Sequence, residues 1–162
     1  MGLFSRPAAP SVGLELISRD RIRKVLDTQG WPYQVDAEGN ISAVWNDGAY
    51  AFLIFGRERE IFTVRATWLS VLKSEDTLRA HEFCARWNKE KLWPKVYPKV
   101  DVEGRLRLHG EHNMDYESGL SDAQLLSHIR TMYGSGTDFF EHAAKEFPHA
   151  LPVSPSDIDR QT

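Results

Sequence analysis

The stretch Phe83–Val96, FCARWNKEKLWPKV, restricts the fold more than any other part of the chain. Its first half has the pattern of an amphipathic helix. Pro94 then disfavours helical geometry at Trp93, so the helix must stop and an extended segment must begin. Ala80, Phe83, Cys84 and Trp87 keep the i, i+3, i+4, i+7 spacing of one buried stripe, and the helix is expected to start near Ser74. On its wet side Glu75–Arg79, Glu82–Arg86 and Arg86–Glu90 are spaced for weak ion pairs. Asn88 is placed to bond the backbone of the junction.

Strands are expected on both sides of this junction. After it, Lys95–Asp101 and Arg105–His109 flank the turn Val102-Glu103-Gly104. Pro98 cannot donate to a ladder, which makes the first of them an edge strand. In the second, Leu106 and Leu108 would face the core, with Arg105, Arg107 and His109 facing away. Before the junction, Trp31–Asp36 and Ile41–Asn46 flank a hairpin signal at Ala37-Glu38-Gly39-Asn40. Asp47-Gly48 leads into Ala49–Phe55, apolar on both faces and therefore a central strand. In Ile61–Trp68, the residues Phe62, Val64, Ala66 and Trp68 share one face, and Thr63, Arg65 and Thr67 the other.

Two more helices complete the pattern. The first runs from Ser18, as N-cap, to the stop at Gly30, with a short stripe of Ile22, Val25, Leu26 and Gln29 that predicts an edge position. The last opens on a capping box, Ser121 with Gln124, and has Asp122 in its positive first turn. Leu125, Ile129, Met132, Gly136, Phe140, Ala143 and Phe147 hold a single helical phase across Gly134-Ser135-Gly136. That predicts one helix of about 26 residues, about 39 Å long, with Gly136 on its buried stripe. The competing reading is two helices kinked at the glycines. The expected order is α-β-β-β-β-α-β-β-α: an α+β domain with an antiparallel sheet of about six strands and helices mainly on one face.

A chain of 162 residues suits one domain with a real core. The expected division is a flexible leader over residues 1–13, the domain over 14–148, and a flexible tail over 149–162, each end marked by prolines. The net charge of −3 gives no electrostatic footprint for nucleic acid or an anionic membrane. The single cysteine excludes an internal disulfide or a CxxC motif. No apolar run approaches the roughly 18–20 residues needed to span a bilayer. The N-terminus lacks a signal-peptide core and misses the myristoylation pattern by one place. A cytoplasmic location is expected.

Four blocks carry a family resemblance: RIRKVLDTQGWPYQVD, FCARWNKEKLWPKVYPKV, GEHNMDYESGLSDAQL and GSGTDFFEHAAKEFP. Together they resemble the YbjN family of bacterial proteins, particularly its actinobacterial branch, over roughly residues 17–148. The resemblance implies a small α+β domain similar in fold to type III secretion chaperones, often dimeric and binding other polypeptides. The family's common label is sensory transduction regulator. The likeness implies no catalytic residue set, and a fold-level analogy does not transfer function.

Several residue groups invite chemistry. Cys84 with a histidine would make a nucleophile pair, but it lies on the apolar stripe, where cysteine behaves as a small hydrophobe. His109, His112 and Asp115, with Glu111 and Glu117, are weak metal candidates. Residues three apart on a strand point to opposite faces, so the two histidines share an ion only if the strand ends first. Gly134-Ser135-Gly136 lacks the preceding strand and following lysine of a phosphate loop. Arg65, Tyr97, Lys99, Arg105 and Arg107, with Thr63, Thr67 and His109, are expected on the sheet face turned away from the helices. They would make a basic, partly aromatic surface for an acidic partner or a second subunit, or else an ordinary solvated face. Trp87 reads as core; Trp93 reads as either core or an exposed binding anchor.

These features favour a non-enzymatic module without a cofactor that binds a polypeptide partner at Arg65, Trp93, Tyr97, Lys99, Arg105 and Arg107, and they are compatible with a homodimer. The alternative is a small-ligand or enzymatic domain using the His109–Glu117 region. A nucleic-acid regulator is disfavoured by the charge and by the lack of a helix-turn-helix signal.

Overall fold

The computed structural model of the chain describes residues 13–154. The chain order is α1 (Arg19–Gln29), β1 (Gln34–Val35), β2 (Ile41–Trp45), β3 (Gly48–Phe55), β4 (Ile61–Trp68) and β5 (Ser70–Val71). A 3-10 turn at Ser74–Asp76 then leads into α2 (Thr77–Glu90), β6 (Lys95–Val100), β7 (Leu106–Asp115), α3 (Asp122–Glu146) and β8 (Leu151–Pro152). Six strands form one antiparallel sheet in the order β1-β2-β3-β4-β7-β6, so the Pro98 strand is an edge as expected. β5 and β8 pair separately.

The helix ends follow their sequence signals. The Ser18 side chain accepts the Arg21 N–H, and Gly30 closes α1 in the left-handed region. The Ser121 and Gln124 side chains each take the other's backbone N–H, which is the expected capping box. α3 runs unbroken through Gly134-Ser135-Gly136. A Cβ on Gly136 would lie 3.3 Å from both the Met132 terminal methyl and the Tyr50 hydroxyl, so the missing side chain lets the helix approach β3 closely. After α2, the Trp87 indole donates to the Pro94 carbonyl, and the Asn88 amide both donates to and accepts from the backbone of Val96. That pairing pins the start of β6 to the helix.

All three helices gather on one face. α3 crosses β3, β4 and β7, while α2 lies over β6. The α2–α3 seam is aromatic: Phe139 stacks on Phe83 at 5.5 Å between centroids and meets Trp87 edge-on at 5.1 Å. α1, expected at an edge, packs chiefly on α3, with Ile22 and Leu26 fully buried. Three apolar residues on a short stripe suffice because the partner is another helix.

Other expectations need correction. The strand expected over Trp31–Asp36 shrinks to two residues, since Trp31 and Tyr33 pack against the core instead of pairing. The i,i+4 ion pairs of α2 do not form; Arg79 and Arg86 both turn to Glu146 of α3, at 2.8 and 3.1 Å. The strand expected to end at His109 runs on to Asp115. The flexible tail expected from residue 149 is tied to the domain as far as it is described. His149 meets Asp76 at 2.8 Å, and Leu151–Pro152 pairs with β5. The rest of that tail and most of the leader lie outside the described residues.

Candidate functional site

Strand register decides which side chains share a face. Gly48, Tyr50 and Phe52 of β3, Phe62, Val64, Ala66 and Trp68 of β4, and Leu106, Leu108, Gly110 and His112 of β7 meet the helices. The intervening residues project to the other side, where no described helix lies. On β3 these are Ala49, Ala51, Leu53 and Phe55, and on β4 Ile61, Thr63, Arg65 and Thr67. On β7 they are Arg107, His109, Glu111, Asn113 and Asp115, and on β6 Lys95, Tyr97 and Lys99. Ser42 and Val44 of β2 complete this bare face.

The face has two halves. Over β2 and β3 it is apolar, with Val44 and Phe55 exposed and the small Ala49 and Ala51 between them. Over β4, β7 and β6 it is a network of polar side chains. Glu111 accepts from Arg65 at 2.6 Å and from the Tyr97 hydroxyl at 2.7 Å. Burial opposes ionisation of Glu111, but these two donors outweigh it and hold the carboxyl below its ordinary range. Burial, reinforced by the bond to Glu111, pushes the Tyr97 hydroxyl up to about 12. The His109 ring stacks on Tyr97 and lies 2.9 Å, through Nδ1, from the Thr67 hydroxyl. Burial, then the nearby cations Arg65, Lys99 and Arg107, push His109 down to about 4. It is therefore a neutral imidazole at pH 7. Thr63 donates to the Asn113 side chain at 2.6 Å.

The structure therefore brings together Arg65, Tyr97, Lys99 and His109, as the sequence suggested. Arg107 is a partial correction. It does turn from the helices, but it is buried rather than solvated, and its Nε donates at 2.8 Å to an Asp101 oxygen that Arg105 also approaches at 2.8 Å. Trp93 is not part of this surface. It is 42% exposed and leans on His112, on the helix side of the sheet.

The weak metal candidates are divided by the strand. His109 and Asp115 face the bare side, while His112 faces the helices and stacks on His128 at 4.1 Å. His128 bonds Tyr116 through Nδ1 and the His112 carbonyl through Nε2, and burial drives it down to about 4. Among the described residues, no three His, Cys, Asp or Glu side chains gather where they could hold a metal ion. Cys84 is buried, and burial alone raises its thiol to about 12.

Sequence reasoning missed Glu111 as the centre of the bare-face network, because the strand was expected to end at His109. The signal was present: Leu106, Leu108, Gly110, His112 and Met114 keep the alternate positions of a strand. Gly110 is needed there because a Cβ would fall 2.9 Å from the Pro94 ring.

This order of elements, with a three-helix cover and a bare face, can be set beside known proteins. The chain matches the YbjN family, described as "Putative bacterial sensory transduction regulator", over residues 18–145. It belongs to the YbjN family. Among solved structures it is similar to that of YbjN from E. coli, "a putative transcription regulator", with a TM-score of 0.72 and 14% identity. The match covers 87% of this chain and 100% of that one. It is also similar to an uncharacterized protein from Methanothermobacter thermautotrophicus, with a TM-score of 0.54 and 13% identity over 81% and 99% of the two chains. At these identities the likeness establishes the fold of the YbjN domain and nothing finer. No curated protein matches the chain by sequence. No described helix is long and apolar enough to cross a membrane.

Proposed function

We propose that this YbjN-family protein is a non-enzymatic, cytoplasmic binding module that receives a polypeptide on the bare face of its sheet. The observation that carries the reading is the asymmetry of that sheet. One side is sealed by three helices, and the other presents an apolar half beside a basic, aromatic half. A sheet face that no described element covers, with Val44 and Phe55 in solvent, is a surface that gains free energy when something covers it. The polar half is already organised by its own hydrogen bonds, so little side-chain entropy remains to be lost on docking.

The edges of the sheet are poor alternatives. β6 carries Pro98, which has no N–H to offer, between Lys95 and Lys99, and β1 is only two residues long. Strand addition is thus discouraged, and the face is the route left open. Pairing of two copies is the competing use of the same face.

The test is capture of partners from the native host with tagged wild-type protein and an Ala51→Trp variant, compared by quantitative mass spectrometry. Ala51 lies in the middle of the bare face; a Leu78→Glu variant, on the exposed side of α2, is the control. A near-stoichiometric protein retained by wild type and the control but lost from Ala51→Trp is the expected result. If every variant returns only the bait, or if the Trp variant retains the partner, the bare face is not the binding surface.

A further inference from the structure

Charge separates the occupants this face could take. Glu111 is held by Arg65 and Tyr97, and Arg107 by Asp101. The Asp115 carboxylate, at the far end of β7, accepts only the neutral Glu117 N–H and stays an anion, away from β6. The cations that remain uncancelled are Lys95 and Lys99 on β6, both exposed, with no ion-pair partner among the described residues. A second copy fits this surface poorly. A two-fold axis at the middle of the sheet would set each lysine pair against either the other lysines or the apolar Val44–Phe55 half, and an axis that brought it to Asp115 would offer one anion for two lysines, so charge is stranded in each case.

The apolar half has the complementary shape. Ala49 and Ala51 form a shallow trough, bounded by Ser42 and Val44 on β2 and by Arg65 and Thr67 on β4. From β3 to β6 there are three strand spacings, about 14 Å. An α-helix is about 10–12 Å across. A helix seated on the trough therefore holds its near flank about 5–6 Å from its axis, above β4, which leaves about 8–9 Å to β6 for a long acidic side chain and a lysine to bridge between them.

Resting on the reading that the bare face binds a polypeptide, we infer that its partner presents an amphipathic helix whose apolar stripe fills the Ala49–Ala51 trough and whose acidic flank meets Lys95 and Lys99. The lysines supply orientation and on-rate, and the trough supplies the buried area.

Two designed amphipathic peptides test this, each about 18 residues long and sharing one leucine stripe, with either glutamate or lysine at the flanking positions. Binding is read by fluorescence anisotropy, and its location by amide chemical-shift changes in the full-length protein. The glutamate peptide is expected to bind at least about tenfold more tightly than the lysine peptide, to weaken with added salt, and to shift the amides of Ala49, Ala51, Leu53 and Lys99. In K95E/K99E the preference should reverse, and both substitutions are exposed enough to leave folding intact. Equal binding of both peptides on the face would overturn the acidic helix while leaving the binding face in place. Shifts confined to the cleft of about 310 Å³ lined by Trp31, Trp45 and Tyr133, or no binding by either peptide, would overturn both. Concentration-dependent shifts at Ala51 in the free protein would mark a second copy as the occupant and overturn the inference as well.

Discussion

Alternate residues of β7 make two different kinds of structure. On one side Leu106, Leu108, Gly110 and His112 pack under the helices; on the other His109, Glu111 and Asn113 bind neighbours on β4 and β6, and Arg107 binds Asp101. Both sides bury side chains, but by different means. The covered side does so by apolar packing against other elements. The bare side does so by a lateral mesh of polar side chains, which leaves Thr63 at 2% and Thr67 at 7% exposure with no described helix above them. Stability should therefore concentrate on the first side and binding on the second.

Acid probes both sides at once. His109 on the bare face and His128 beneath the helices both fall to about 4 in the folded protein, against about 6.5 when unfolded. Above pH 6.5 neither state binds the proton, so neither histidine affects stability. As pH falls from 6.5 towards 4 the unfolded chain is protonated first, and each group costs the fold up to about 3 kcal/mol. His112 shifts in the same direction because it is buried. Urea melts at pH 7.5 and 4.5 should show a large loss, with His109→Gln and His128→Phe each removing part of it. A His109 that titrates near 6.5 by NMR would show that the side-chain mesh does not exclude water, and the comparison would fail.

Phe139→Ala breaks the covered side. The ring is fully buried between Phe83, Trp87 and Phe140, so its loss should cost about 3–5 kcal/mol in equilibrium denaturation. A cost below about 1 kcal/mol would mean that the α2–α3 seam can collapse onto the cavity. Gly110→Ala asks a narrower question. Its new methyl would press the Pro94 ring at 2.9 Å, and that ring is fixed by the adjoining backbone. A loss of about 1–3 kcal/mol is expected from thermal melts.

These elements differ in how plainly the sequence announced them, and the difference follows the same division. Signals internal to one segment were legible: the caps at Ser18, Gly30 and Ser121, the stop at Pro94, and the apolar phase that carries α3 through its glycines. Features that depend on a partner were not. The second half of β7 is a strand because β4 supplies its ladder, although its residues are too polar to look like one. Arg79 and Arg86 leave their helical neighbours for Glu146, which is distant in sequence. Arg107 was placed on the correct side, but its burial depends on Asp101 and the packing around it. The bare-face residues could be named from alternation; Glu111 as their common acceptor could not, because it required the register between three strands.

The smallest effect is the most discriminating. Lys99→Glu alters an exposed side chain on the edge strand, next to a proline and without an ion-pair partner among the described residues. Removing it should change stability by less than about 0.5 kcal/mol. It also lies close enough to His109 to contribute to that group's low pKa. Replacing a repelling cation with an anion must therefore raise the His109 pKa, because the charged imidazole gains a favourable neighbour. The expected result is an unchanged denaturation midpoint at pH 7.5, together with a His109 titration by NMR that moves upward. Because the folded pKa moves closer to the unfolded value, the variant should also lose slightly less stability than wild type as the pH falls below 6.5. A large loss of stability at pH 7.5 would show that Lys99 belongs to the structural mesh, and the line between the two sides of the sheet would have to be redrawn at β6.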